Sequence, residues 1–264
     1  MTATIGWVRD SWEMMLRNLI HIRRTPELLL DVTLSPIMFV LLFNFVFGGA
    51  IGQLVGAQGG EQQDYINYMM SGIFVQTIAF AGIYTSVLLA NDLQKGMIDR
   101  FRSLPMSQSA VLVGRTVTDL LRAMLAIAIM FIVGLLVGFR PEGGVFGNLA
   151  AVGLMLLFGF ALSWVGVAAG ALVRTPEALQ GIIFAVVFPL TFVSSAFVPT
   201  ATMPDWLEWF AERQPMTLVM NEVRDLTLGI NLYDAELAAI AWCVGILAVA
   251  FPLGLVLYNR RTTQ

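Results

Sequence analysis

The stretch YINYMMSGIFVQTIAFAGIYTSVLL, residues 65–89, contains no acidic or basic residue over 25 consecutive positions. A helix of about 20 mainly apolar residues is long enough to cross the hydrocarbon core of a bilayer. We therefore predict a membrane-spanning helix here. The sequence then changes abruptly to NDLQKGMIDRFRSLP, residues 91–105, which contains the only lysine of the chain, Lys95. This change from apolar to charged sequence marks the end of the predicted span.

The whole chain repeats this apolar pattern. Its 264 residues are 58% hydrophobic and 12% charged, with a mean hydropathy of +0.78, whereas soluble domains carry about 25% charged residues. We therefore exclude a water-soluble globule and predict an all-α, polytopic integral membrane protein with one transmembrane domain over residues 1–264. The six predicted spans cover residues 28–47, 65–89, 117–138, 149–173, 179–198 and 237–258.

The basic residues predict the orientation of these spans, because cytoplasmic connections of membrane proteins carry an excess of lysine and arginine. An N-terminus inside places eleven of the fifteen basic residues in the cytoplasm. They are Arg9, Arg17, Arg23, Arg24, Lys95, Arg100, Arg102, Arg115, Arg174, Arg260 and Arg261. Arg140, Arg213 and Arg224 fall outside, and Arg122 lies in the third span near its inner end. We expect both termini to be cytoplasmic.

Two segments outside the spans are predicted to lie at the membrane surface. Residues 1–26 form an interfacial segment, in which residues 5–19 have one apolar helical face with Trp7 and Trp12 at headgroup depth. In the external region, residues 199–234, Pro204 and Pro215 bracket DWLEWFAERQ. Trp206, Leu207 and Phe210 share a face there, which predicts a short interfacial or re-entrant helix. An amphipathic loop helix without a function is the alternative.

The cytoplasmic loop, residues 91–115, is predicted to contain an amphipathic helix over residues 92–105. Leu93, Met97, Phe101 and Leu104 recur at helical spacing, and we place Ile98 on the same stripe. Charged residues occupy the other side. Pro105 ends the helix, and a short turn, SQSAVLVGR, leads into the third span.

Catalytic chemistry is missing from the sequence. A single histidine, His21, and a single cysteine, Cys243, provide neither a metal cluster nor a nucleophile–base pair. A P-loop needs a Gly-Lys pair, but Lys95 follows Gln94. We predict no catalytic residue, no bound metal and no cofactor on this chain. If ATP drives this protein, another chain binds it.

Polar residues within the spans are candidates for a translocation path. Asp119 and Arg122, spaced three apart, can pair on one helical face, either as a polar entry to the path or as interfacial charges that reach water. The residues that we predict to line the path or its gate are Asn44, Gln76, Phe188, Thr191, Phe192, Ser194, Ser195 and Phe197. Packing and hydrogen bonding between helices is the alternative role for them.

Two stretches resemble the ABC-2 type permeases, the membrane subunits of ATP-driven exporters. In DLQKGMIDRFRSLPMSQSAVLVGR, residues 92–115, the resemblance rests on an acidic start, a glycine, an acidic–basic pair, a leucine-proline and a final Gly-Arg. These are Asp92, Gly96, Asp99-Arg100, Leu104-Pro105 and Gly114-Arg115. FPLTFVSSAFVPTATMPDWLEWFAERQPMTLVMNEVRDLTLG, residues 188–229, is similar to the fifth span and external region of the family's drug-resistance branch, which includes daunorubicin exporter permeases.

This resemblance implies a dimer of permeases, as two copies or with a paralogous permease, and two separate ATPase subunits that bind ATP and magnesium. It also implies that the cytoplasmic loop is a coupling helix that docks on the ATPase. The docking residues would be Met97, Ile98, Asp99, Arg100, Phe101, Arg102 and Leu104. We expect export of amphiphilic, drug-like or lipid-like molecules across the cell membrane, which the resemblance implies is a bacterial inner membrane. A stand-alone carrier or channel that needs no ATPase is the alternative, and a membrane-embedded hydrolase is a distant third.

Overall fold

In the computed structural model of the protein, we describe residues 34, 37–47, 62–94, 108–173 and 175–263. These residues form helices and turns, without a β-strand among them. The helices are α1 Ile37–Val46, α2 Gln62–Gln94, α3 Gln108–Val137, α4 Gly144–Leu172, α5 Pro176–Phe192, α6 Asp205–Arg213, α7 Pro215–Leu228 and α8 Glu236–Thr263. A π-helical turn, Phe43–Phe47, overlaps the last residues of α1 and extends one residue beyond it, and a 3₁₀ turn, Thr200–Thr202, precedes α6.

Helix α2 is the central helix of the described bundle, because α3, α4, α5 and α7 all pack against it. Its contact with α4 depends on glycines. A Cβ at Gly82 would lie 2.7 Å from the carbonyl oxygen of Gly159, and one at Gly170 would lie 2.8 Å from that of Ser86. Small residues allow membrane helices to approach closely and to gain dispersion contacts.

Four described helices, α2, α3, α4 and α8, are long and apolar enough to cross a membrane, and α1 and α5 are shorter apolar helices. Large apolar side chains remain exposed on the outer faces of this bundle, including Leu136 on α3 and Leu237 and Val249 on α8. Exposed apolar surface of this extent is costly in water. These faces are therefore suited to lipid, and the chain is a multi-pass membrane protein.

The carboxyl ends of α4 and α8 meet at one end of the bundle. Arg261 on α8 donates from Nη1 to the carbonyl oxygens of Gly170, Ala171 and Val173, at 2.8, 3.2 and 2.6 Å. The last carbonyls of a helix lack intrahelical donors and carry partial negative charge. Arg261 therefore satisfies the end of α4 and fixes the two helices in register.

Three predicted boundaries are wrong. Helix α2 continues to Gln94, so that it includes the first residues of the predicted 92–105 helix, and α3 begins at Gln108 where a separate short turn was predicted. The fifth span was predicted over residues 179–198, but α5 ends at Phe192 and residues 193–197 form a turn. The side chain of Gln214 donates to the carbonyl oxygens of Leu190 and Val193, which stabilises this early end.

Residues 199–234, which were predicted to be external, contain two α-helices where one was predicted. Helix α6 lies between Pro204 and Pro215 as predicted, and its Trp206 and Trp209 are 73% and 61% exposed. Helix α7 was not predicted. It packs against α2, α4 and α8 and buries most of its side chains. The region is therefore partly a surface helix and partly a component of the core. The N-terminal interfacial segment lies outside the described residues.

Candidate translocation cavity

A cavity of about 600 Å³ lies between α1, α2, α3 and α5. Cavities of roughly 300–1,000 Å³ are typical of sites for drug-sized ligands. Five aromatic rings form much of its wall: Phe39, Phe80, Tyr84, Phe184 and Phe188. Its polar wall residues are Gln76, Thr77, Arg122, Glu177 and Gln180.

Gln76 is the least exposed of these polar wall residues. The residue is 4% exposed, and its Nε2 has no hydrogen-bond partner among the described residues. A buried amide without a partner costs free energy that a bound polar group can recover. Gln76 therefore has a hydrogen-bond donor beside the cavity that is not used by the part of the chain that the structure describes.

The buried charge of the wall is compensated inside the protein. Arg122 lies 3.6 Å from Asp119, which confirms the predicted pairing, and Thr85 donates to the Asp119 carboxylate at 2.6 Å. Arg122 also lies 5.8 Å from the centre of the Tyr84 ring. Both charged side chains are buried, so they face the protein and not bulk water. The cavity thus combines aromatic surface with a few polar groups, which suits an amphiphilic organic molecule.

The structure separates the eight predicted path or gate residues into two groups. Gln76 and Phe188 line the cavity. The other six, which do not line it, are Asn44, Thr191, Phe192, Ser194, Ser195 and Phe197. The hydroxyls of Thr191 and Ser194 donate to backbone carbonyls one turn or less away, and Ser195 bonds the side chain of Asn221 at 2.7 Å. Asn44 is buried, and within the described ranges its Oδ1 lacks a hydrogen-bond partner.

A row of phenylalanines continues beyond the cavity. Along α5, ring centroids are 4.8 Å apart for Phe184–Phe188 and 4.6 Å for Phe188–Phe192, and Phe192 lies 5.4 Å from Phe197. Phe197 then stacks on Phe43 of α1 at 4.0 Å with nearly parallel planes. The row therefore joins the cavity wall to the turn that follows α5.

This turn, residues 193–197, is pressed against α2. A Cβ at Gly72 would lie 2.7 Å from Ala196 Cα and would contact the Ala196 carbonyl oxygen more closely still. Ala196 and Phe197 are both buried. Only a residue without a side chain allows this approach, so Gly72 sets the position of the turn.

Arg224 of α7 is the main residue that sequence reasoning missed at this site. Its side chain is 1% exposed. The guanidinium donates to the carbonyl oxygen of Tyr68 at 3.2 and 3.3 Å and to that of Ser195 at 2.9 Å. It also donates to Asn221 Oδ1 at 2.8 Å and lies 3.6 Å from the Tyr68 ring centre. Arg224 thus joins α2, the turn and α7.

Acidic residues of α7 and the following segment lie near one another. Asp225 is buried and accepts a hydrogen bond from the Tyr233 backbone N–H at 2.8 Å. Burial, followed by the nearby carboxylates of Asp225, Glu236 and Asp234, raises the pKa of Glu222 above its usual value. A sequence signal for α7 exists, because Pro215 at its first turn and left-handed Gly229 after its end are typical helix boundaries.

The predicted ATPase-docking residues cannot be placed in the same way. Met97, Ile98, Asp99, Arg100, Phe101, Arg102 and Leu104 all lie outside the described residues. Their role remains a prediction. The described part of α2 reaches Gln94, immediately before them, and lines the cavity between Gln76 and Val87.

Comparison with known proteins identifies the family. The ABC-2 type transporter family matches residues 10–228. The daunorubicin resistance ABC transporter permease protein DrrB1 of Streptomyces coeruleorubidus is 34% identical over 266 residues, covering 100% of this chain and 89% of the relative. The probable doxorubicin resistance ABC transporter permease protein DrrC of Mycobacterium tuberculosis is 24% identical, covering 87% of this chain and 80% of the relative. The chain belongs to the ABC-2 type transporter family and is a permease of an ABC exporter.

Proposed function

We propose that this permease exports amphiphilic, drug-like or lipid-like molecules through the cavity between α1, α2, α3 and α5. The lining of the cavity is the observation that supports this proposal. Its aromatic wall can hold the apolar part of such a molecule, while Gln76 and Gln180 bind the polar substituents. Two relatives are named for resistance to daunorubicin and doxorubicin, which supports the same substrate class here.

The proposed topology has six spans with both termini in the cytoplasm. The four long apolar helices supply four of them, and the shorter α1 and α5 supply the other two. Helix α5 reaches its full predicted depth only with the buried turn at residues 193–197. Non-helical backbone at membrane depth is tolerated where protein covers it. In this orientation Glu177 lies at the cytoplasmic end of the cavity and Phe197 near its outer end.

The proposed partners are an ATPase subunit and a second permease, either another copy or a paralogue. ATP and magnesium would bind to the ATPase, which docks on the 92–105 segment. Helix α2 provides the physical connection, since one helix extends from Gln94 past the cavity to Gly72. A movement of the docked segment would therefore shift the cavity wall. We place the complex in the plasma membrane, as a bacterial inner-membrane protein.

The cavity can be blocked without disturbing the helix packing. Gly181 lines the cavity, and a Cβ added to it meets no atom of the described residues within 4 Å. We expect Gly181→Trp to lower transport by roughly ten-fold, the factor that a loss of about 1.4 kcal/mol of binding free energy gives. The measurement is ATP-dependent uptake of a fluorescent amphiphilic dye into inside-out vesicles that contain the permease and its ATPase subunit.

Gly245→Trp is the matched control, because Gly245 on α8 is also an exposed helical glycine with open space around its Cβ, and it does not line the cavity. It should leave uptake unchanged. Equal uptake by the two variants and the original chain would show that cargo passes elsewhere.

A further inference from the structure

We propose that Arg224 is a positioning residue that latches the outer end of the cavity shut. By holding the 193–197 turn on α2, it keeps Phe197 stacked on Phe43. This inference rests on the proposed function, because the path and its outer end follow from the topology proposed above. It goes further in assigning a role to a buried arginine on a helix that contributes nothing to the cavity wall.

The turn at residues 193–197 lies beyond one end of the cavity. On α5 the cavity wall extends from Glu177 to Phe188. The helix itself ends at Phe192, and the turn begins at the next residue. On α2 the wall begins at Gln76, and the contact with the turn lies one helical turn before it, at Gly72. Both antiparallel helices therefore place the turn beyond the same end of the cavity.

A stacked pair of phenylalanine rings lies at that end. Phe197 is 4% exposed and stacks on Phe43 at 4.0 Å. Phe43 in turn lies 6.1 Å from Phe39, which lines the cavity, and Phe192 connects Phe197 to the wall on the α5 side. The stacked pair thus bridges α1 and the end of α5. An outward path beside α5 requires these rings to separate.

Arg224 connects the turn to α2. The guanidinium of Arg224 bonds the Ser195 carbonyl on one side and the Tyr68 carbonyl on the other. Hydrogen bonds from an ionised donor are stronger than those between neutral groups. The described hydrogen-bond acceptors are all neutral, since the third is the side-chain amide oxygen of Asn221. Water can replace neutral acceptors when the turn moves, so the contact can open and close again.

The latch can be tested by chemical access. The chain has a single cysteine, Cys243, which is buried, so a thiol introduced by Thr77→Cys on the cavity wall can be followed with a membrane-impermeant maleimide. With Arg224 present, we expect labelling in inside-out vesicles and protection in right-side-out vesicles. Arg224→Lys keeps the charge but loses the planar guanidinium that bonds several acceptors at once. Added to Thr77→Cys, it should speed labelling from outside by about ten-fold or more, which corresponds to a change of about 1.4 kcal/mol in the free energy of opening.

Two further variants keep the test decisive if one protein folds poorly. Arg224→Met removes the charge and should give at least the same increase, whereas Asn221→Ala removes one acceptor and should give a smaller one. The protein is labelled in vesicles and then solubilised, and the label is counted only in the monodisperse fraction of the permease. A variant that folds poorly therefore lowers the yield of permease but does not change the labelling rate of the folded protein. Arg213→Met, at an exposed arginine of α6, is the control and should leave access from outside unchanged.

The latch is wrong if outside labelling of Thr77→Cys stays slow in the Arg224 variants, or if it is already fast with Arg224 in place. ATP-dependent dye uptake by the original chain separates this failure from that of the proposed function. Uptake with unchanged outside labelling overturns the latch alone. No uptake by the original chain overturns the proposed function, whatever the labelling shows.

Discussion

Gly72→Ala is expected to destabilise the permease although it adds only one methyl group. Its Cβ would lie 2.7 Å from Ala196 Cα, against backbone that cannot rotate away. Overpacking of this kind costs about 1–3 kcal/mol, more than the gain of up to about 1 kcal/mol from replacing glycine in a helix. The apparent melting temperature in detergent should fall by about 5 °C, given about 2–4 °C per kcal/mol for a chain of this size.

Gly153→Ala provides the comparison. Gly153 is an exposed helical glycine of α4, and within the described part of the chain a Cβ there meets no atom within 4 Å. The methyl group should leave the melting temperature unchanged or raise it slightly. If the Gly72→Ala and Gly153→Ala variants have the same melting temperature, the turn does not pack on α2 in the way described.

Phe101→Asp is expected to remove the ATPase subunit from the purified complex and to abolish transport. Phe101 is the central apolar residue of the predicted 92–105 helix. An amphipathic helix that binds in a groove relies on such apolar anchors. A carboxylate buried without a partner costs about 3 kcal/mol or more, which corresponds to a loss of affinity of at least about a hundred-fold. Co-purification of a tagged ATPase with the permease in detergent measures the effect.

Ser103→Asp introduces the same charge two residues later, about 200° around a helix with 3.6 residues per turn. It should therefore lie away from the apolar stripe and leave the complex intact. An intact, transport-competent complex with Phe101→Asp would mean that the ATPase binds elsewhere. Loss of the complex in both variants would indicate a general effect of charge and would not identify an apolar anchor.

The long helices could be predicted from the sequence because their burial in lipid requires a continuous apolar run. The predicted spans at residues 65–89 and 237–258 lie within α2 and α8, which extend further at both ends. The pairing of Asp119 with Arg122 followed from helical spacing alone, and the structure confirms it. Local periodicity was sufficient for these features.

The closed end of the cavity could not be predicted in this way. Helix α7 contains Glu222, Arg224 and Asp225, so its composition indicates a polar external segment, yet all three are buried. Arg224 is stable there because it finds carbonyl acceptors 156 and 29 residues away in sequence. Contacts at such separations leave no trace in local hydropathy. The early end of α5 has a similar origin, in the side chain of Gln214.

The central claim is that this chain moves amphiphilic molecules outward with energy from a separate ATPase. The most direct test uses inside-out vesicles that contain the permease with its ATPase subunit, or with an ATPase whose P-loop lysine is replaced. We predict that ATP drives dye accumulation only with the intact ATPase, and that an ion gradient alone drives none. Accumulation that follows an ion gradient in vesicles containing the permease alone would contradict this account and establish a stand-alone carrier.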